Sequence, residues 1–139
     1  MGDSPLAQQK KQPRIAAIGS ALVDILLRED DEFLKKAGAA KGGMTLVDLP
    51  FIEKLLVESD NESVMVPGGS ACNTIIGVAR LGGYARFIGK RGSDELGNVF
   101  ESSLKKNNVE PALVQSPTTP NGCVLSIITP DAQRSMFTC

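Results

Sequence analysis

The sequence predicts an α/β protein, a mostly parallel sheet flanked by helices. Three observations carry that prediction. Short apolar runs such as residues 15–18 and 123–129 have strand length and no alternation, the habit of strands buried on both faces. Amphipathic helical segments stand between such runs, the clearest at 94–106, where Leu96, Val99, Phe100 and Leu104 recur at helical spacing. Residues 67–97 hold eight of the chain's 14 glycines, in the order turn, helix, turn, strand, turn, helix.

Taken in order, residues 1–14 read as a disordered polar leader without the apolar core of a secretory signal. Residues 15–18 and 21–27 read together as one buried first strand, bent at Gly19-Ser20. Asp24 stands inside that apolar stretch, and an unpaired buried charge is costly. Either the strand ends there and Asp24 meets solvent, or it lies at a cleft and binds something. Residues 30–37 predict a short helix with Phe33, Leu34 and Ala37 on one face. Residues 42–47 predict a strand entered through glycines. Asp48 then starts a helix with Pro50 in its first turn and Phe51, Ile52, Leu55 and Leu56 as its apolar face. Residues 64–66 predict a strand leading into Pro67.

Gly68 and Gly69 allow positive φ and the close approach of a ligand. Ser70 is the expected N-cap of the next helix, since its hydroxyl can accept from a free amide. Ala71, Ile75, Val78, Ala79 and Gly82 form a face suited to a sheet, and Asn73 sits in the first turn near the amide-rich end. Beyond the helix at 94–106, Asn107-Asn108 offers a stop, with Val109 packing back. Short strands follow at 112–114 and 123–129, and a turn at 130–132 leads to a returning strand from Arg134. Because the chain stops inside that strand, a fragment of a longer protein is expected.

Composition excludes several classes. With 42% hydrophobic and 22% charged residues and a net charge of −1, there is no basic field for nucleic acid and no polybasic membrane segment. No apolar stretch is long enough to cross a bilayer as a helix. The absence of histidine removes every imidazole-based triad and leaves Cys72, Cys123 and Cys139 without a partner for zinc. An odd cysteine count without close pairing gives no disulfide framework, so a reducing, cytoplasmic location is expected. Cys72 reads as a small buried residue rather than a nucleophile. Gly89-Lys90 is not a phosphate loop, because Tyr84 and Arg91 occupy positions that need glycine and a hydroxyl residue.

Gly68, Gly69, Asn73 and then Gly92, Asp94 and Gly97 resemble the first signature of the PfkB (ribokinase-like) family of sugar and nucleoside kinases. The resemblance runs from about Arg14 to Thr138. It implies a ribokinase-like fold in which strands near 42–48 and 62–67 leave the main sheet as a small β lid, with Met44 and Met65 as lid residues. It implies that Asp24, the aspartate after the first strand, accepts from sugar hydroxyls, with Gly68, Gly69, Ser70 and Asn73 completing the substrate site. Gly-Gly-Ser before Asn73, and Met-Thr-Leu-Val-Asp at 44–48, lean towards the adenosine-kinase-like branch. ATP and Mg2+ are implied as cofactors, but the family's second signature, with its catalytic aspartate and anion hole, has no match in residues 98–139. The expectation is therefore the acceptor-binding half of a kinase acting on a ribose-like or adenosine substrate, with no catalytic or metal-binding residue in this chain. A homodimer through the lid is compatible with this reading, and the sequence does not fix the oligomeric state. The competing expectation is a non-catalytic module, either sugar- or nucleoside-binding or a subunit that assembles through its lid, and Arg134 reads as either a lid-closing or substrate-side cation or a solvated charge.

Overall fold

The computed structural model describes residues 14–139; the leader expected at 1–14 lies almost wholly outside the described residues. Eight strands and four helices follow in the order β1 (Arg14–Ile18), β2 (Leu22–Arg28), α1 (Asp31–Lys36), β3 (Met44–Leu46), α2 (Leu49–Glu58) and β4 (Val64–Gly68). Then come α3 (Ser70–Arg80), β5 (Tyr84–Gly92), α4 (Glu95–Lys106), β6 (Val109–Ser116), β7 (Gly122–Ile128) and β8 (Arg134–Thr138).

The strands form two sheets. A three-stranded parallel sheet has the order β1-β5-β6, and a five-stranded sheet has the order β3-β8-β7-β2-β4. In the larger sheet β2 pairs parallel with β7 and β3 parallel with β8, while β2–β4 and β7–β8 are antiparallel. The α/β class with mainly parallel pairing thus holds, and the segments at 42–48 and 62–67 supply the two outer strands of the second sheet.

The first strand corrects the sequence reading. Residues 15–18 and 21–27 are not one strand with a bend but two strands in different sheets, and β1 is not buried: Ile18 is 78% exposed. Gly19 marks the change of sheet. Its N–H donates to the Ile88 carbonyl at 3.1 Å, the last link to β5, and a Cβ there would lie 2.7 Å from that of Ala71. A side chain at this position would push β1 and α3 apart, so the chain passes between sheets at a residue without one. β6 is also longer than the 112–114 expected, running through Pro111 in register with β5.

Helix starts follow the short polar residues that precede them. The carboxylates of Asp30, Asp48 and Asp94 accept from the amides of Phe33, Phe51 and Gly97 at 2.8, 3.1 and 2.9 Å. Asn108 takes a positive φ of 58° just past α4, consistent with the stop read there. The core lies on the inner face of each sheet. Val23, Ile25, Leu27, Cys123, Leu125, Ile127 and Phe137 line it in the larger one, and α2 covers them through Phe51 on Phe137 at 5.4 Å. In the smaller sheet Phe87 meets Phe100 of α4 edge-on at 5.3 Å. α4 packs against strands of both sheets and joins their cores into one.

Candidate functional site

Strand alternation decides where Asp24 points. On β2, Val23, Ile25 and Leu27 take the core face, so Leu22, Asp24 and Leu26 take the other. Val66 of β4 and Val124 of β7 stand beside Asp24 in register and leave it half-buried. The carboxylate leans over Gly68, where a Cβ would come within 2.6 Å of Asp24 Cγ and 2.9 Å of Oδ2. Glycine is thus required at 68 for close approach. Loss of water pushes the Asp24 carboxyl above its ordinary range, and the positive charge of Arg134 pulls it partly back. Among the described residues no hydrogen bond reaches this carboxylate, so both oxygens are free to accept. An isolated carboxylate that has already lost part of its solvent is the group that a pair of sugar hydroxyls can satisfy.

Gly69 follows with φ of +86°, a conformation that L side chains rarely adopt, and it is the N-cap of α3. This corrects the role given to Ser70. Ser70 is the first helical residue, and no side chain caps this helix. Ser70 is exposed, and its carbonyl accepts from the Thr74 hydroxyl at 2.8 Å. The first amides of α3 therefore have no side-chain acceptor, because the capping position has no side chain to offer.

The other predicted residues divide between two sides of the β2–β4 pair. Register places Met44, through Met136 and Ser126, on the same face as Asp24, whereas Met65 stands opposite Ile25 on the reverse face. Met44 and Met65 are 67% and 42% exposed. Asn73 is exposed and lines an open groove of about 720 Å3 with Met65, Val66, Pro67 and Arg80, a lining that does not include Asp24. Asp24, Gly68 and Met44 therefore share one face of the sheet and Met65 takes the other, while Asn73 stands in the first turn of the helix that follows Gly69. Arg134 is exposed, donates to Met136 Sδ at 3.4 Å, and acts on Asp24 only through its field. Cys72 is fully buried, and its thiol is pushed up to about 11 by burial and by the nearby Asp24 charge, which leaves it un-ionised at neutral pH.

Gly92, Asp94 and Gly97 build a junction. Asp94 Oδ1 caps α4, while Oδ2 accepts from the Asn121 amide at 2.8 Å. A Cβ on Gly92 would overlap the Asn121 backbone nitrogen, and one on Gly97 would overlap the Gly92 carbonyl. Asn121 completes the knot. Its Oδ1 accepts from the Gly92 amide at 3.2 Å, and its Nδ2 donates to the carbonyls of Ala21 and Gly122 at 3.1 and 3.0 Å. One buried amide thus ties the end of β5 in the smaller sheet to the starts of β2 and β7 in the larger. In the sequence Asn121 was only part of a loop, and Pro-Asn-Gly before an apolar strand is turn composition with no sign of this role.

Among the described residues no three His, Cys, Asp or Glu side chains gather where they could hold a metal ion.

Two sheets meeting at a glycine-lined junction, with a carboxylate beside the Gly-Gly helix start, define a ribokinase-like α/β fold. The chain belongs to the pfkB family of carbohydrate kinases, whose pattern matches residues 12–139. It is 32% identical over 100 residues to the probable fructokinase-6, chloroplastic, of Arabidopsis thaliana, covering 72% of this chain and 20% of that protein. It is 34% identical over 96 residues to the fructokinase of Solanum tuberosum, covering 69% of this chain and 27% of that protein. Among solved structures, the adenosine kinase from Sinorhizobium meliloti superposes with a TM-score of 0.76 at 36% identity, over 91% of this chain and 39% of the other. The adenosine kinase of Trypanosoma brucei brucei gives 0.81 at 20% identity over 92% and 40%, a likeness of fold alone. The chain thus spans about a fifth to a quarter of these fructokinases and about two fifths of the solved kinases. No helix among the described residues is long and apolar enough to cross a membrane.

Proposed function

We propose that this chain supplies the acceptor-binding part of a sugar or nucleoside kinase that transfers the ATP γ-phosphate to a hydroxymethyl group of a ribose-like or adenosine substrate. The observation that carries the reading is Asp24: half-buried, without a hydrogen bond among the described residues, and leaning over the Cα of Gly68. In this reading its two oxygens accept from neighbouring hydroxyls, and the amides at Gly69 and Ser70 face the same substrate. Asn73 adds a side-chain amide from the first turn of α3. Met44, on the outer strand β3 and on the same face as Asp24, belongs to the adaptable apolar cover of a lid, whereas Met65 on β4 faces the other way and is left out of that cover. Family membership and the adenosine kinase and fructokinase likenesses support this class of acceptor. The base for the acceptor hydroxyl and the seat for ATP and Mg2+ are assigned to another part of the protein.

Two assays test this. Titration calorimetry with adenosine, ribose and fructose should show binding to one of them, weakened by Asp24→Asn. Residues 1–139, purified free of host kinases, should transfer no phosphate from labelled ATP to any of the three. Turnover by residues 1–139 would overturn the division of labour. Binding that survives Asp24→Asn unchanged would remove the assignment of Asp24. Saturable binding, with no turnover by a longer protein that carries this chain, would favour a non-catalytic binding module.

A further inference from the structure

We propose that Cys123 and Cys139 form a reversible disulfide, a modification site whose reaction partner is a small-molecule disulfide such as oxidised glutathione. The two residues are separated in sequence by the turn at 130–132, and β8 returns antiparallel along β7. The ladder continues one pair beyond β8. There the Cys139 amide donates to the Cys123 carbonyl at 3.0 Å, and the Cys123 amide donates to the Cys139 carbonyl at 3.4 Å. A pair that exchanges both bonds has its Cα atoms about 5.5 Å apart, inside the roughly 4.4–6.8 Å that a disulfide spans. Directly opposed side chains leave the sheet on the same face, and Cys139 Sγ lies 3.7 Å from the Cys123 carbonyl oxygen. Cys72, on α3, belongs to neither strand.

Access sets the order of events. Cys139 is partly exposed, whereas Cys123 is fully buried, with its thiol pushed up to about 12 by burial and then by its neighbour Cys139. The oxidant reaches the accessible Cys139 first; its sulfur gives up its proton and attacks, forming a mixed disulfide and releasing one thiolate. Cys123 then gives up its proton and attacks Cys139 Sγ, and the second thiolate leaves. The protein loses two protons and two electrons, and the oxidant becomes two thiols. Holding the two sulfurs together compensates for the low ionisation of Cys123. The Cβ atoms of such a pair stand about 5.5 Å apart against about 3.8 Å in a relaxed disulfide. Closure must therefore draw the strands together, which makes the bond easy for thiols to reduce again.

The test is thiol mapping of the folded chain. The reduced protein is incubated with excess oxidised glutathione, acid-quenched, alkylated, digested and analysed by mass spectrometry without reduction. The expected product is a peptide pair joined through Cys123 and Cys139, lighter by two hydrogens and restored by dithiothreitol, with Cys72 alkylated. Cys123→Ala, which keeps the buried position apolar, should trap glutathione on Cys139, and Cys139→Ser should leave Cys123 unmodified. A stable glutathione adduct on Cys139 of the unsubstituted chain, a bridge through Cys72, or recovery of all three free thiols would overturn the proposal. Mapping of the unsubstituted chain decides the matter even where a variant does not fold.

Discussion

Replacing Asp24 with asparagine keeps the size of the side chain and removes its charge and one of its two good acceptors. If the carboxylate receives substrate hydroxyls, a charge-assisted hydrogen bond is lost, worth roughly 1.5–3 kcal/mol. Affinity should then fall roughly ten- to hundredfold. Stability should move the other way. Burial raises the folded-state pKa of Asp24 above its ordinary 3.8, with Arg134 opposing. The folded chain therefore keeps this proton at a pH where the unfolded chain has released it. The side chain's contribution to stability is most favourable below 3.8, declines as pH rises through the raised value, and is a standing cost above it. Asparagine cannot ionise, so the variant should melt at the same temperature as wild type or a few degrees higher at pH 7. That difference should shrink towards pH 4. Calorimetric titration with adenosine, ribose and fructose, alongside thermal melts from pH 4 to 8, measures both halves. Gly68→Ala is the independent arm. Its Cβ overlaps the carboxylate and displaces it without removing the charge, so it too should weaken binding. A variant Asp24→Asn that melts much lower at pH 7 yet binds every ligand as wild type does would make Asp24 structural and refute the reasoning.

Further outcomes follow from other positions. Asn73→Ala should leave folding intact, because alanine is the better helix former by some tenths of a kcal/mol; it should weaken substrate binding by about 1–2 kcal/mol. Thr74→Ala serves as the control, and equal affinities for the Asn73 variant and wild type would make Asn73 a plain helix residue. Asn121→Ala strips the partners from the Gly92 amide and the Ala21 carbonyl at the junction of the sheets. At about 1–3 kcal/mol for each buried orphan, the urea midpoint should drop sharply, and a shift worth under about 1 kcal/mol would show that the knot is dispensable. Two helical glycines should respond oppositely. Gly77→Ala meets nothing within 4 Å and should stabilise by about 0.5–1 kcal/mol, whereas Gly97→Ala collides with the Gly92 carbonyl and should destabilise. Melting curves with the same sign for both would contradict this account of the two sites.

The sequence by itself determined the local elements and the anomaly among them. Asp30, Asp48 and Asp94 ahead of apolar helical spacing located three helix starts, since capping depends on residues only three apart. The Gly-Gly, Asn and Gly-x-Asp-x-x-Gly spacing led to the pfkB family, and an aspartate in an apolar strand marked Asp24 as a residue in need of an explanation. Only the tertiary structure decided what lies beside what. The single first strand became two because the packing of Gly19 against Ala71 is set by α3, more than 50 residues away in sequence. Met44 and Met65 took opposite faces because side-chain direction depends on register with partner strands, and one residue of register reverses it. Asn121, read as loop, became the tie between the sheets because its partners lie at residues 21, 92 and 94. Cys123 and Cys139, unpaired by spacing, became neighbours through the return of β8 along β7. Hydrophobic period and capping are written in neighbouring residues, whereas pairing between strands is fixed by the packing of the whole chain.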